Sequence, residues 1–384
     1  MAVPPNEKPL IFVQFAGQGT KYIDELSQLY STYPAIRPFI QDAIAEIKKQ
    51  ASCYDDTQTA FFSHGLEVDR WLEDKSETPD SGYLLSSPLS HPLIYLCQIS
   101  NYISILQDGL DQEKLLLNTH SMTGFSTGVV AAILCSMGLP LDELRKLAIK
   151  VQAMFFWQGI RTQQCILKLG VKPKLVLGRF NSTEGTPSCM ANISGLTRDR
   201  LDELINSFSN YGIVYPAYEL LPDRWVVSGM PDVLVEFNKF LNERIDGVGW
   251  KYNLSTIAAH SPFLSDALES TPLDVEQLDF DFSGEEMKVP VWSSDTGTDL
   301  RISKDVLYDV MQAYFVRPGV WRKQIASLFP PTCITHVLDF GPGAGMASLT
   351  HSHIKESGIQ VIRCAVPNGR KRLFEQVLPA LDHS

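Results

Sequence analysis

The stretch Asn118–Leu134, NTHSMTGFSTGVVAAIL, constrains the fold more than any other part of the chain. The pentapeptide GFSTG, Gly124 to Gly128, is by itself common enough to arise from ordinary composition. Its flanks carry the weight. KLLLNTHSMTG reads as a strand running into the turn, and GVVAAILCSM reads as a packed helix that begins at once with Val129, Val130 and Ala131. A strand that turns this sharply into a helix strains the central residue, and glycines two before and two after leave room for the crossing chain. The turn puts Ser126 at a helix N-terminus, where free N–H groups favour a developing anion. Such a unit belongs in an α/β architecture.

The rest of the chain supports that class. PLIFVQFAGQG (9–19) is an apolar run ending in glycines, as expected for a buried strand entering a tight loop. Ile36, Phe39, Ile40, Ala43, Ile44 and Ile47 recur at helical spacing, and HPLIYLCQISNYISIL (91–106) is apolar nearly all round, as a buried helix would be. Residues 51–90, rich in Asp, Ser and Pro, read as loop. LDELRKLAIKVQAMFF (141–156) carries Leu141, Leu144, Leu147, Ala148 and Val151 on one helical face. Residues 183–254 follow the order β-α-β-β-α-β of a ferredoxin-like unit, with Thr197 as a helix N-cap and a Pro-Asp turn between two strands. Strand-like runs resume at VPVWSSD (289–295) and THVLDFG (335–341). The expected division is a large subdomain of 1–182 and 255–384 and a small inserted one of 183–254.

Charge and cysteine usage narrow the function. A formal net charge of −11 argues against a non-specific nucleic-acid binder. No apolar run approaches the roughly 18 residues of a membrane span, and MAVPPNEKPL lacks the layout of a signal peptide. The seven cysteines form no C-x-x-C pair, so structural zinc and a disulfide framework are not expected and a reducing, cytoplasmic setting is. VLDFGPGAG (337–345) has the glycines of a nucleotide-cradling loop, but the 39 residues that follow are too few for the remaining βα units of a nucleotide domain.

A serine hydroxyl needs a base to take its proton. His260, in STIAAHSPFL, and His120, six residues before Ser126, are the candidates among eight histidines, and spacing does not choose between them. G-x-S-x-G also occurs in esterases, which differ in handing the acyl group to water.

FAGQG, G-x-S-x-G, A-x-H-S-P, PVWSSD and LDFGPG, in this order, resemble the acyltransferases that load carrier proteins. GYLLSSPLSHPLIYLCQISNY, ANISGLTRDRLDELI, WVVSGMPDVLVEFNKFL and VLDFGPGAGMASLTH resemble the starter-unit acyltransferase domains of fungal non-reducing polyketide synthases. The resemblance implies an α/β-hydrolase-like parallel-sheet core with an inserted ferredoxin-like subdomain. It implies Ser126 as nucleophile, His260 as base, and the backbone N–H groups of Gln18 and Thr127 as the oxyanion hole. A backbone carbonyl within MQAYFVRPGVW, at Gln312, would orient the imidazole. The implied partners are acyl-CoA or an acyl-carrier thioester, the phosphopantetheine thiol of an acyl-carrier domain, and a ketosynthase with the other domains of one megasynthase. Neither metal nor bound cofactor is implied.

Two departures from the family pattern stand out. Ser126 occupies a position where many starter-unit domains carry Cys. Gln152 matches the position at which malonyl-loading relatives hold a carboxylate with Arg, which implies a neutral acyl group. Phe155, Phe156 and Trp157 are candidates to line its pocket, and Arg161 lies just beyond. RKR (370–372), Arg317, Arg322 and Lys323 are candidates for carrier docking. A serine put in place of a catalytic cysteine leaves a further alternative, an impaired domain that only docks a carrier.

Overall fold

The computed structural model describes residues 10–53, 59–170 and 185–382. The expected boundary at 182/183 lies outside them. A five-stranded, all-parallel sheet has the order β10-β9-β1-β2-β7. Its strands are β1 (Ile11–Phe15), β2 (Thr119–Gly124), β7 (Val291–Trp292), β9 (His336–Asp339) and β10 (Gln360–Arg363). Every residue of IFVQF in β1 is buried, because a central parallel strand is covered on both faces. That burial includes Gln14, whose amide donates to Asp339 Oδ2 at 2.5 Å and accepts from Thr350 Oγ1 at 2.7 Å. A polar group in this layer is tolerated because its hydrogen bonds are made.

The helix Ser87–Gln107 is buried nearly all round, as its composition requires, and packs along the helix Leu141–Lys168. The latter runs twelve residues past the expected segment. Two other expectations change. KLLL belongs to a short helix, Gln112–Leu117, capped by Asp111, and β2 begins only at Thr119. Residues 59–90 are not plain loop: they hold the helices Val68–Glu73 and Ser81–Leu84, and the long helix starts at Ser87. Short helices of this kind have too few residues to display a 3.6-residue period.

A second sheet has the order β6-β3-β5-β4-β8, built from β3 (Met190–Ser194), β4 (Val214–Leu221), β5 (Arg224–Gly229), β6 (Gly249–Tyr252) and β8 (Gly319–Val320). The helices Arg198–Phe208 and Pro231–Asn242 cover one face. Alternation divides each strand. Ala191, Ile193, Trp225 and Val227 pack under those helices as a separate core, while Met190, Tyr218 and Val226 join the main core. β8 comes from the far side of the chain and pairs with β4 in parallel, Tyr218 opposite Gly319. A Cβ on Gly319 would stand 2.1 Å from the Tyr218 ring, so the glycine lets that ring lie flat against the backbone.

Candidate active site

The turn after β2 is built from glycine contacts. A Cβ on Gly124 would come within 1.9 Å of the Gly128 backbone, and one on Gly128 within 2.2 Å of the Ala16 carbonyl. In the facing loop, a Cβ on Gly17 would meet the Phe125 carbonyl at 2.2 Å. Strand, turn and loop therefore close on one another as bare backbone. Ser126 is forced to φ +54°, in the left-handed region, just ahead of the helix Gly128–Ser136.

His260 meets it there. His260 Nε2 is 2.9 Å from Ser126 Oγ. The opposite nitrogen, Nδ1, lies 2.9 Å from the Ala313 carbonyl and 3.0 Å from that of Arg317. Carbonyls only accept, so Nδ1 carries the proton and Nε2 is left bare to receive the serine hydroxyl. The orienting carbonyls are thus Ala313 and Arg317 rather than Gln312, because the helix Val306–Phe315 ends here and frees its last acceptors. His260 is itself at φ +57°, with its amide on Tyr314 O at 3.3 Å. Burial holds its pKa down at about 4, against the opposing pull of the two carbonyls and Asp295. The imidazole is therefore neutral and able to accept a proton. Asp295, of PVWSSD, is bonded to Arg317 at 3.2 Å. His120 is half-buried at the start of β2 and bonds to its neighbour Ser121.

The cleft over Ser126, between the two sheets, has a cavity volume of about 50 Å³. Gln18, Phe125, Met190, Tyr218, Val226 and Asn253 are among its walls. Among the described residues, neither the Gln18 nor the Thr127 amide is taken by another backbone carbonyl, and the Gln18 side chain is turned away to Ser90 at 3.0 Å. Tyr218 stacks on Phe125 with centroids 4.1 Å apart and stands edge-on to His260. Its hydroxyl is held by Gln324 Nε2 and reaches the Ser126 backbone, and burial raises its pKa. Tyr218, Gln324, Met190 and Asn253 were not singled out in the sequence. They are ordinary strand and loop residues until tertiary contact joins them.

The three expected substrate-binding residues are not among those lining this cleft. Gln152 is buried and donates to the Pro92 carbonyl at 2.8 Å. Phe156 stacks on Phe62. Arg161 binds Asp274 through two nitrogens, at 2.8 and 3.0 Å. In the basic 370–372 segment Lys371 is exposed, but Arg370 is not available for docking. Arg370 is buried and forks onto Asp108 and the Ser104 carbonyl. Among the described residues no cluster of three or more His, Cys, Asp or Glu could hold a metal, and no helix is long and apolar enough to cross a membrane.

The chain is similar to several known proteins. A beta subunit of fatty acid synthase, TOXC, from Cochliobolus carbonum is 30% identical over 97% of this chain, and that of Schizosaccharomyces pombe is 29% identical over 91%. The chain spans only 19% and 18% of those proteins. Among solved structures, malonyl CoA-acyl carrier protein transacylase from Clostridium perfringens shares the fold with a TM-score of 0.67 at 17% identity, over 98% of this chain and all of that one. A malonyl-transacylase solved in complex with its type II polyketide acyl-carrier protein has a TM-score of 0.65 at 14% identity, over 98% and 100% of the two chains. Residues 13–248, more than half of the sequence, match the family described as "Starter unit:ACP transacylase in aflatoxin biosynthesis". The chain belongs to the starter unit:ACP transacylase family and is an acyltransferase.

Proposed function

We propose that the protein loads a starter acyl group onto the phosphopantetheine thiol of an acyl-carrier domain through an ester on Ser126. The observation that carries this reading is the 2.9 Å contact from Ser126 Oγ to a histidine whose other nitrogen is tied to two carbonyls. Oγ attacks the thioester carbonyl of an acyl-CoA or acyl-carrier donor while His260 Nε2 takes its proton. The Gln18 and Thr127 amides stabilise the oxyanion, each being worth on the order of 3 kcal/mol in comparable sites. The tetrahedral adduct collapses, the C–S bond breaks, and His260 returns the proton to the departing thiolate. The carrier thiol then gives its proton to His260, attacks the ester and displaces Ser126 Oγ, which is reprotonated.

The element order and strand order of the second sheet support reading 183–254 as a ferredoxin-like subdomain inserted into an α/β-hydrolase-like core of 1–182 and 255–384. The cleft between the sheets would take the pantetheine arm, and the ketosynthase and remaining domains would lie elsewhere in a larger synthase. Among the described residues no Lys or Arg side chain lines the cleft beside Ser126, which favours a neutral acyl group.

Mass spectrometry of the protein after incubation with neutral acyl-CoAs tests the reading. One acyl adduct is expected on Ser126. It should vanish in Ser126→Ala, and its rate of formation should fall by about 10³-fold or more in His260→Ala. An adduct that survives Ser126→Ala places the nucleophile elsewhere. Release of free acid in preference to acyl-carrier makes the protein a hydrolase.

A further inference from the structure

Beyond the cleft, the second sheet continues as a groove lined by Asn192, Ser194, Leu220, Arg224, Gly249 and Lys251, with Ile193 and Trp250 at its borders. Alternation along the strands puts these residues on the same face as Met190, Tyr218 and Val226, which wall the cleft. The two spaces adjoin directly, because Asn192 Nδ2 of the groove donates to Asn253 Oδ1 of the cleft. Arg224 lies two residues along β5 from Val226, about 7 Å of strand.

Arg224 and Lys251 are both exposed, and among the described residues neither side chain has an ion-pair or hydrogen-bond partner. Among the described residues no carboxylate lines the groove. In a chain with 44 acidic and 33 basic residues this is a local excess of positive charge. The pairing places Lys251 opposite Asn192 and Arg224 opposite Ser194, on the two strands flanking β3. Two strand spacings and a two-residue offset set their Cα atoms about 12 Å apart, a span that two long side chains can close around one anion. Between them the Ser194 hydroxyl has no partner among the described residues and lies over Gly249, where a Cβ would meet Ser194 Oγ at 2.3 Å. Two cations and a hydroxyl around an acid-free floor suit a phosphate.

We propose that Arg224, Lys251 and Ser194 form a phosphate subsite for the pantetheine arm, fixing its phosphorylated end while the thiol end reaches Ser126. The inference rests on the acyl-transfer reading for the identity of the arm. The phosphate is common to CoA and to a carrier's phosphopantetheine, so both sources are tested.

The test separates binding from catalysis. In Ser126→Ala protein, CoA and pantetheine, which lacks the phosphate, are titrated by calorimetry. Adding Arg224→Ala and Lys251→Ala should weaken CoA about tenfold or more and change pantetheine less than twofold. Arg224→Lys with Lys251 intact should restore most of the loss, and added salt should shrink the difference between the two ligands. With Ser126 present, transfer to a holo-carrier is compared with transfer to free pantetheine. A selective loss for CoA assigns the subsite to the donor, one for the holo-carrier assigns it to the acceptor, and losses for both make it shared. Unchanged CoA binding, or equal weakening of pantetheine, overturns the proposal. If unaltered protein forms no acyl adduct, the transfer reading fails, and the CoA–pantetheine comparison still decides the phosphate subsite.

Discussion

On the parallel-sheet side of the cleft, Ser126 is held by backbone. Gly17, Gly124 and Gly128 each touch other backbone where a side chain would stand, and Ser126 is left in a left-handed conformation. On the opposite side, the second sheet contributes side chains from regular strands: Tyr218 from β4, Val226 from β5, Met190 from β3. The first wall has no tolerance, because an added methyl has nowhere to go. The second is a surface of separable side chains, each of which can change without moving the chain. In the proposed mechanism the chemistry sits on the rigid wall, where sub-ångström placement of a nucleophile matters. Recognition is assigned to the wall whose members can vary one at a time.

Substitution at the glycines should break the rigid wall most severely. Gly128→Ala forces a Cβ to within 2.2 Å of the Ala16 carbonyl. We expect a loss of more than about 4 kcal/mol of stability, or insoluble protein, and no acylation in whatever remains folded. A soluble, active Gly128→Ala protein would show that the elbow yields.

Acid should distinguish stability from chemistry. His260 and His91 are both buried, and burial lowers each pKa to about 4 from an ordinary 6.5. Between these values the unfolded chain takes up protons that the folded one refuses. Stability therefore falls as pH drops from about 6.5 to about 4 and levels off below, by at most about 3 kcal/mol for each imidazole. Neutral His260 persists through most of that window, so acylation per folded molecule should hold to about pH 5. Urea midpoints and single-turnover acylation at pH 7, 6 and 5 check both. An acylation rate that halves near pH 6.5 would mean that the imidazole is solvated.

Tyr218→Phe probes the variable wall where it touches the rigid one. Removing the hydroxyl leaves the Gln324 amide short of an acceptor and the Ser126 backbone without its partner. A cost of about 1–2 kcal/mol and a drop of about tenfold in acylation rate are expected. Equal rates would confine Tyr218 to packing. Smallest is Thr197→Ala, far from the cleft, which removes the cap on the Arg200 amide of the helix Arg198–Phe208. It should lower stability by about 1 kcal/mol without changing acylation.

The parts of the site that were legible in the sequence are those whose geometry is local. GFSTG announces its turn because the glycines needed for close approach are themselves the signal. The apolar run of β1 and the helical segment 91–106 are equally readable, since burial on all sides leaves few polar positions to confuse the pattern, and 141–156 is readable from its single apolar face. His260 was not. Spacing left it level with His120, and only resemblance to a known family preferred it. The helix 141–168 shows the opposite failure. Its existence was plain, yet the side chains of Gln152, Phe156 and Arg161 are engaged by Pro92, Phe62 and Asp274, partners distant in sequence that no periodicity names.

By itself, then, the amino-acid sequence determined the strained serine and the class of sheet behind it, since both follow from sterics within a dozen residues. Only the tertiary structure decided which imidazole faces that serine, which carbonyls turn it, and which strand residues close the cleft. Those contacts join groups 50 to 200 positions apart, and their partners are set by how sheets and helices pack, which local pattern does not encode.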